Sequence, residues 1–224
     1  MDFNNDFFYV ARNRYLLRIY TYMMCCVLLF CACAESATAS SLLENVSPIS
    51  ANGHVNVLIE IPAGTNEKWE VDKKTGQLSI EILDNGQPRN VNYLPYPANY
   101  GMIPKTILPK RKGGDGDPLD VIVLGESISR GTIEECKLIG VMKLLDRGEQ
   151  DDKLIAVSKA SVFRNINSLN QLDSLHNGVS IILKTWFENY KGKNKMSFLG
   201  FDSKEEANHI LSVSMNDYIA LKEK

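Results

Sequence analysis

Asp115-Gly116-Asp117-Pro118-Leu119-Asp120 sets three carboxylates within six residues, and the apolar run Val121-Ile122-Val123-Leu124 follows at once. Gly and Pro suit a tight turn, and four apolar residues in a row suit a strand buried on both faces. Carboxylates crowded at the mouth of such a strand repel one another unless something positive stands between them. Divalent cations standing between them are the reading that the run suggests. A calcium EF-hand loop does not fit. Asp115, Asp117 and Glu126 match its first, third and twelfth positions, but the sixth demands glycine and is Asp120. Leu119, at the fifth position, offers no side-chain oxygen. Taken alone, the run also suits a plain acidic surface turn.

A second acidic cluster changes the balance. Asp146 ends the expected strand Leu138–Leu145, and Asp151-Asp152-Lys153 opens the expected strand Leu154–Ser158. A tight hairpin there again carries carboxylates to a sheet end, either to face the first cluster across one pocket or to lie solvated at a hairpin tip. Lys68 and Glu70 are two apart on an expected strand, so they share a face. Tyr190-Lys191 closes an expected helix. Lys110-Arg111-Lys112 reads as a solvated loop, and the three histidines (His54, His176, His209) are scattered.

The alternation in Val55–Ile61 predicts a strand that stops at Pro62. Trp69–Val71 and Leu78–Ile82 flank a glycine-bearing turn and predict a hairpin. Asp84–Arg89 reads as another turn, and the prolines of Tyr93–Gly101 forbid helix. Past Ser168 the texture becomes helical. Val179–Tyr190 has Ile182, Leu183, Trp186 and Phe187 at helical spacing. Ser203-x-x-Glu206 is a capping box opening Ser203–Glu223, where Leu211, Met215, Tyr218 and Ile219 can share a stripe. The layout is α+β, mainly a β core of barrel or sandwich type, with helices in the C-terminal part.

The N-terminus stands apart. Arg12, Arg14 and Arg18 precede a short apolar core, Met23–Ala34, and Ala-x-Ala sites follow. This is the pattern of an export signal, too short for the roughly 20 apolar residues of a membrane span. Residues 1–34 are thus expected as a signal peptide or lipoprotein leader, 35–53 as a linker, and 54–224 as the functional domain. The expected location is exported and periplasmic, with a retained anchor or lipid at Cys33 as the membrane-bound variant and the cytoplasm as the alternative. Four of the five cysteines lie in the leader, so Cys136 has no partner for an internal disulfide. A net charge of -2 argues against a nucleic-acid binder.

Together these residues resemble family I soluble inorganic pyrophosphatases. Asp115–Val121 matches that family's signature heptad, Ile59-Glu60-Ile61-Pro62 and Lys68-Trp69-Glu70 its early strands, and Tyr96-Pro97-Ala98-Asn99-Tyr100-Gly101 its Tyr-Pro-x-Asn-Tyr-Gly segment. Asp146–Lys153 fits its second acidic hairpin and Tyr190-Lys191 its C-terminal pair, in the same order from about Val55 onward. The resemblance implies a five-stranded OB-like barrel with C-terminal helices packed outside. It implies hydrolysis of pyrophosphate to two phosphates with several Mg²⁺ ions, no nucleic-acid partner, and a homo-oligomer. Asp115, Asp120, Asp146, Asp151 and Glu60 are the implied metal ligands, and Asp117 the base that takes a proton from the attacking water. Lys68, Tyr100, Lys153, Tyr190 and Lys191 are the implied phosphate ligands, with Lys68, Tyr100 and Lys191 also stabilising the leaving group. Tyr96 and Glu70 orient neighbours.

One position departs. The family usually has an arginine directly after the acidic residue of its third strand, but here Ile82 follows Glu81. The longer connection that follows contains Arg89, expected to reach the same phosphate. Two other functions stay open on this barrel: a non-enzymatic nucleic-acid or metal-binding module, and a broader nucleotide or polyphosphate hydrolase. No P-loop pattern supports the latter.

Overall fold

The computed structural model describes residues 41–72 and 75–223, all within one compact unit, Ala39–Lys224. The expected leader, residues 1–34, lies outside the described residues, as does the start of the expected linker. The rest of that linker carries a four-residue helix, α1 (Ser41–Glu44), and its Ile49 bridges Val55.

Among the described residues, nine strands follow in chain order. They are β1 (Val55–Ile61), β2 (Trp69–Val71), β3 (Leu78–Ile80), β4 (Asn99–Met102), β5 (Asp120–Leu124), β6 (Ile133–Asp146), β7 (Glu149–Gln150), β8 (Lys153–Ser158) and β9 (Met196–Asp202). β1 pairs with β4, β4 with β5, β5 in parallel with β8, and β8 with β6. The first half of β6 returns to pair with β1, Cys136 opposite Val55. Five strands thus close into a ring, the expected OB-like barrel. The far half of β6 carries β9 on one edge and β7 at its end.

Two backbone features shape the ring near the carboxylates. Where β4 crosses β1, a Cβ on Gly101 would lie 2.0 Å from the Leu58 carbonyl oxygen, so only glycine fits. The pairing slips between Ile59 and Ile61 at this crossing, a bulge that bends β1 as it reaches Glu60. At the other acidic segment, Arg147 (φ 51°) and Gly148 (φ 94°) form the two-residue turn from β6 into β7.

Alternate residues feed two cores, because side chains on a strand point to opposite faces. Val121, Val123, Leu154 and Ala156 pack with Ala207 and Leu211 of the last helix, α4 (Lys204–Lys222). Ile122, Leu124, Ile155 and Val157 pack with α2 (Leu169–Leu175) and α3 (Val179–Asn189) through Leu169, Leu172, Leu183, Trp186 and Phe187. The apolar run at β5 is therefore covered on both sides. Ser203 caps α4 by accepting the Glu206 amide, as its capping box implies. The expected stripes hold only in part. Ile219 is 53% exposed, and α4 instead buries Ala207, Leu211, Ser214 and Asp217; Ile182 of α3 also faces outward.

Candidate active site

The parallel register of β5 and β8 places Val121 opposite Leu154, which brings the residues just before them, Asp120 and Lys153, side by side. Lys153 Nζ lies 2.5 Å from Asp120 Oδ2 and 2.5 Å from Asp151 Oδ1, with only 2% of its side chain exposed. Lys191, just after α3, lies 2.9 Å from Asp146 Oδ2 and 3.6 Å from Asp151 Oδ2. Charges alternate along this row: Asp120, Lys153, Asp151, Lys191, Asp146. Burial opposes the Lys153 charge, but Asp120 and Asp151 outweigh it and hold the ammonium protonated well above its ordinary range. Burial likewise opposes ionisation of Asp120, and Lys153, Tyr100 and Lys68 overcome it.

On the other side of Asp120, a cavity of about 320 Å³ is lined by Glu60, Lys68, Glu70, Asp117 and Asp120 among others. Glu60 sits near the end of β1 with 5% exposure and accepts the Val71 amide at 2.9 Å. Burial pushes its carboxyl up to about 7, with Lys68 pulling the other way. Lys68 and Glu70 share a face as expected, 3.4 Å apart. Asp115 shapes the acidic turn, its Oδ1 accepting the Asp117 amide at 2.8 Å. The turn is pinned by paired backbone bonds from the Leu108 amide to Asp117 and from the Gly116 amide to Leu108.

An aromatic wall backs both halves. The Tyr100 ring lies 5.9 Å from Lys68 Nζ and from Lys153 Nζ, and its hydroxyl hydrogen-bonds Asp120. Tyr96 packs on Tyr100 at 5.5 Å and on Trp186 at 4.5 Å, and Trp186 stacks on Tyr190 at 4.5 Å. Burial raises all three phenols, Tyr96, Tyr100 and Tyr190, well above the ordinary tyrosine range. They are neutral hydrogen-bond donors at neutral pH.

The family model for inorganic pyrophosphatase matches residues 57–219, all but the ends of the barrel and of the last C-terminal helix. The chain belongs to the family I soluble inorganic pyrophosphatases. It is 38% identical over 187 residues to soluble inorganic pyrophosphatase 2 of Chlamydomonas reinhardtii, covering 81% of this chain and 90% of the relative. It is 32% identical over 168 residues to the inorganic pyrophosphatase of Campylobacter jejuni, covering 73% and 91%. Among solved structures, an inorganic pyrophosphatase from Coxiella burnetii superposes with a TM-score of 0.65 at 31% identity, covering 77% of this chain and 99% of that one.

Pyrophosphatases of this family depend on metal ions, generally Mg²⁺. The residues present fit a hard cation. Asp146 Oδ1 and Asp151 Oδ2 are shielded from solvent and accept no hydrogen bond, an expensive state for carboxylate oxygens that a cation seeking oxygen ligands would relieve. Among the described residues, no three acidic, histidine or cysteine side chains are gathered tightly enough to cage an ion. The ammonium groups of Lys153 and Lys191 stand between the carboxylates instead.

Asn99 does a job that the residue motifs did not suggest. Fully buried in β4, it accepts the Ala63 amide at 3.1 Å and the Ile128 amide at 2.8 Å, and donates to the Val123 and Glu126 carbonyls at 3.3 and 2.8 Å. One amide thus ties three chain segments together beside Tyr100. Its place between Pro97 and Tyr100-Gly101 was the available signal.

Proposed function

We propose that this chain hydrolyses inorganic pyrophosphate to two orthophosphates, with Asp117 taking the proton of the attacking water. The observation that carries this reading is the alternating row Asp120, Lys153, Asp151, Lys191, Asp146 beside the Tyr100 hydroxyl. It offers carboxylates for cations and buried ammonium groups for phosphate oxygens within one site. Bound Mg²⁺ supplies charge neutralisation for the pyrophosphate and acidifies the water that attacks it.

The chain's own residues do the rest. Asp115, Asp120, Asp146, Asp151 and Glu60 are the oxygen ligands for the metals. Lys68, Lys153 and Lys191 bind phosphate oxygens. Tyr190, kept neutral by burial, can donate a hydrogen bond to the leaving phosphate, and Tyr100, whose hydroxyl donates to Asp120, would be free to do the same once Asp120 turned to a cation. Donors aimed at developing negative charge are worth roughly 10²–10³ in rate each. Asp117 lines the same cavity as Lys68 and Asp120.

A phosphate-release assay decides the reading. Pyrophosphate with Mg²⁺ should be hydrolysed, EDTA should silence the reaction, and added Mg²⁺ should revive it. Activity that survives thorough chelation, or no release with Mg²⁺ present, refutes it. ATP and tripolyphosphate in the same assay test the broader hydrolase. The basic-then-apolar leader adds that the enzyme is exported, which the mass of the mature N-terminus tests.

A further inference from the structure

We propose that Arg130 is a positioning residue that grips the back of β2, so that Lys68 on the front stays turned into the cavity to meet a phosphate group. The proposal deepens the pyrophosphatase reading above and rests on it.

Lys68 is not placed by the barrel's own hydrogen-bond ladder. Among the described residues, β2 pairs with β3 alone, in a two-stranded sheet apart from the ring. The backbone bonds of Lys68 also stay local. Its amide donates to the Arg89 carbonyl at 2.9 Å, and its carbonyl accepts the Glu81 amide at 2.9 Å. Arg89 returns there after Ile82 bridges Pro88, and its side chain pairs with Glu81 at 2.7 Å. These bonds tie Lys68 to its neighbours in the hairpin. Its direction relative to Asp117 and Asp120 has to be set by side chains that cross to the barrel.

Arg130, in the loop from β5 to β6, makes that crossing. Side chains alternate along a strand, so Lys68 and Glu70 share the cavity side while Trp69 and Val71 look back, Val71 packing with Leu58 and Met102. The Arg130 guanidinium lies over the Trp69 ring, 4.2 Å from its centroid. Its Nη2 donates to Glu67 Oε2 at 3.1 Å, and the same oxygen accepts the Trp69 indole N–H at 2.8 Å. Its Nε donates to the Glu60 carbonyl at 3.1 Å. One side chain thus binds the two residues that flank Lys68, Glu67 and Trp69, to the backbone of β1. The loop beneath is itself anchored, the Gly131 amide donating to Ile59 at 2.8 Å and the Ile59 amide to Thr132 at 2.9 Å. A planar guanidinium can stack on an aromatic face and donate from its edges at once, which an ammonium cannot. Arg130 is not among the residues that line the cavity, so it acts through Lys68 and not on substrate.

The test is calorimetric titration of inorganic phosphate, with Mg²⁺ present, into wild type, Arg130→Met, Arg130→Lys, Lys68→Met and the Lys68→Met/Arg130→Met double variant, alongside kcat/KM for pyrophosphate. Misplacement by about 1 Å can cost up to about a hundredfold, and Arg130→Met should weaken phosphate binding and lower kcat/KM about tenfold. Arg130→Lys should recover only part of both. The double variant should bind phosphate no more weakly than Lys68→Met, because linked residues do not lose affinity additively; a merely structural loss would add. Glu67→Ala, at a half-exposed side chain, should weaken phosphate binding in the same direction and serves if Arg130→Met does not fold. Wild-type phosphate affinity in the folded variant, or additive losses in the double variant, overturn the proposal. A wild-type protein that binds phosphate but releases none from pyrophosphate sinks the enzyme reading while the titration still decides Arg130, and one that binds no phosphate overturns both.

Discussion

Lys153 Nζ lies 2.5 Å from Asp120 Oδ2 although 33 residues separate them. The contact exists because β5 and β8 run in parallel with Val121 opposite Leu154. Lys153 is also the counter-charge to Asp151, so it does inside the protein part of what a cation would do. Lys153→Met should therefore leave two carboxylates facing each other and cost roughly 3–5 kcal/mol in metal-free protein. Millimolar Mg²⁺ should restore more stability to this variant than to wild type. Denaturant melts with and without Mg²⁺ read the difference, and an identical Mg²⁺ response in both proteins would contradict it.

Asp117 and Asp120 line the same cavity, yet they are assigned different duties. Asp117→Asn should lower kcat by about 10²–10⁴, the range expected for loss of a general base. Calorimetric Mg²⁺ binding should stay close to wild type. Near-normal turnover would remove Asp117 from the proton transfer.

Glu60 gives a stability signature with a definite sign. Its carboxyl is pushed from the usual 4.5 to about 7 by burial, so the folded, metal-free protein holds a proton there that the unfolded chain has released. Stability from this group is complete below about pH 4.5 and fades as pH rises through about 7. Glu60→Gln should flatten that part of the curve. Thermal melts of chelated protein across this window check it, and parallel curves for the two proteins would refute the assignment.

Gly101 tests the strand crossing that bends β1 towards Glu60. A methyl group there would meet the Leu58 carbonyl oxygen at 2.0 Å, backbone that cannot rotate away. Gly101→Ala should cost roughly 3 kcal/mol or more and shift the urea midpoint down. A neutral substitution would mean that β1 and β4 can slide apart without loss.

The parts of the fold that were legible in the sequence are those whose signal is local. Val121–Leu124 carries its burial on its face, and the Asp146–Lys153 hairpin is announced by Arg147-Gly148 between two apolar runs. β4 gave no such signal, because all four of its residues are buried and one is glycine, so it neither alternates nor shows strand-forming bulk. β9 was hidden for a different reason: its faces alternate, but Leu199 puts an apolar residue on the outward face at 62% exposure, so the sequence does not alternate. α2, at seven residues, is too short for a helical period to declare itself. The site was readable as a set of residue types and not as an arrangement. That Lys153 stands between Asp120 and Asp151 depends on a parallel register, and no short-range pattern encodes a pairing of that kind. The same is true of Arg89: its charge was visible in the sequence, but its bond to Glu81 required the excursion through Ile82 and Pro88.

The return of β6 to β1 has a consequence for how the molecule comes apart. A flat sheet can lose its outermost strand first, while a closed circuit has no outermost strand to shed. Breaking the Val55–Cys136 seam also loosens the strand that bears Glu60, and through β4 and β5 the turn that bears the aspartates. Amide exchange along β1, β5 and β8 should proceed as a single event, so that the catalytic face survives intact or vanishes at once.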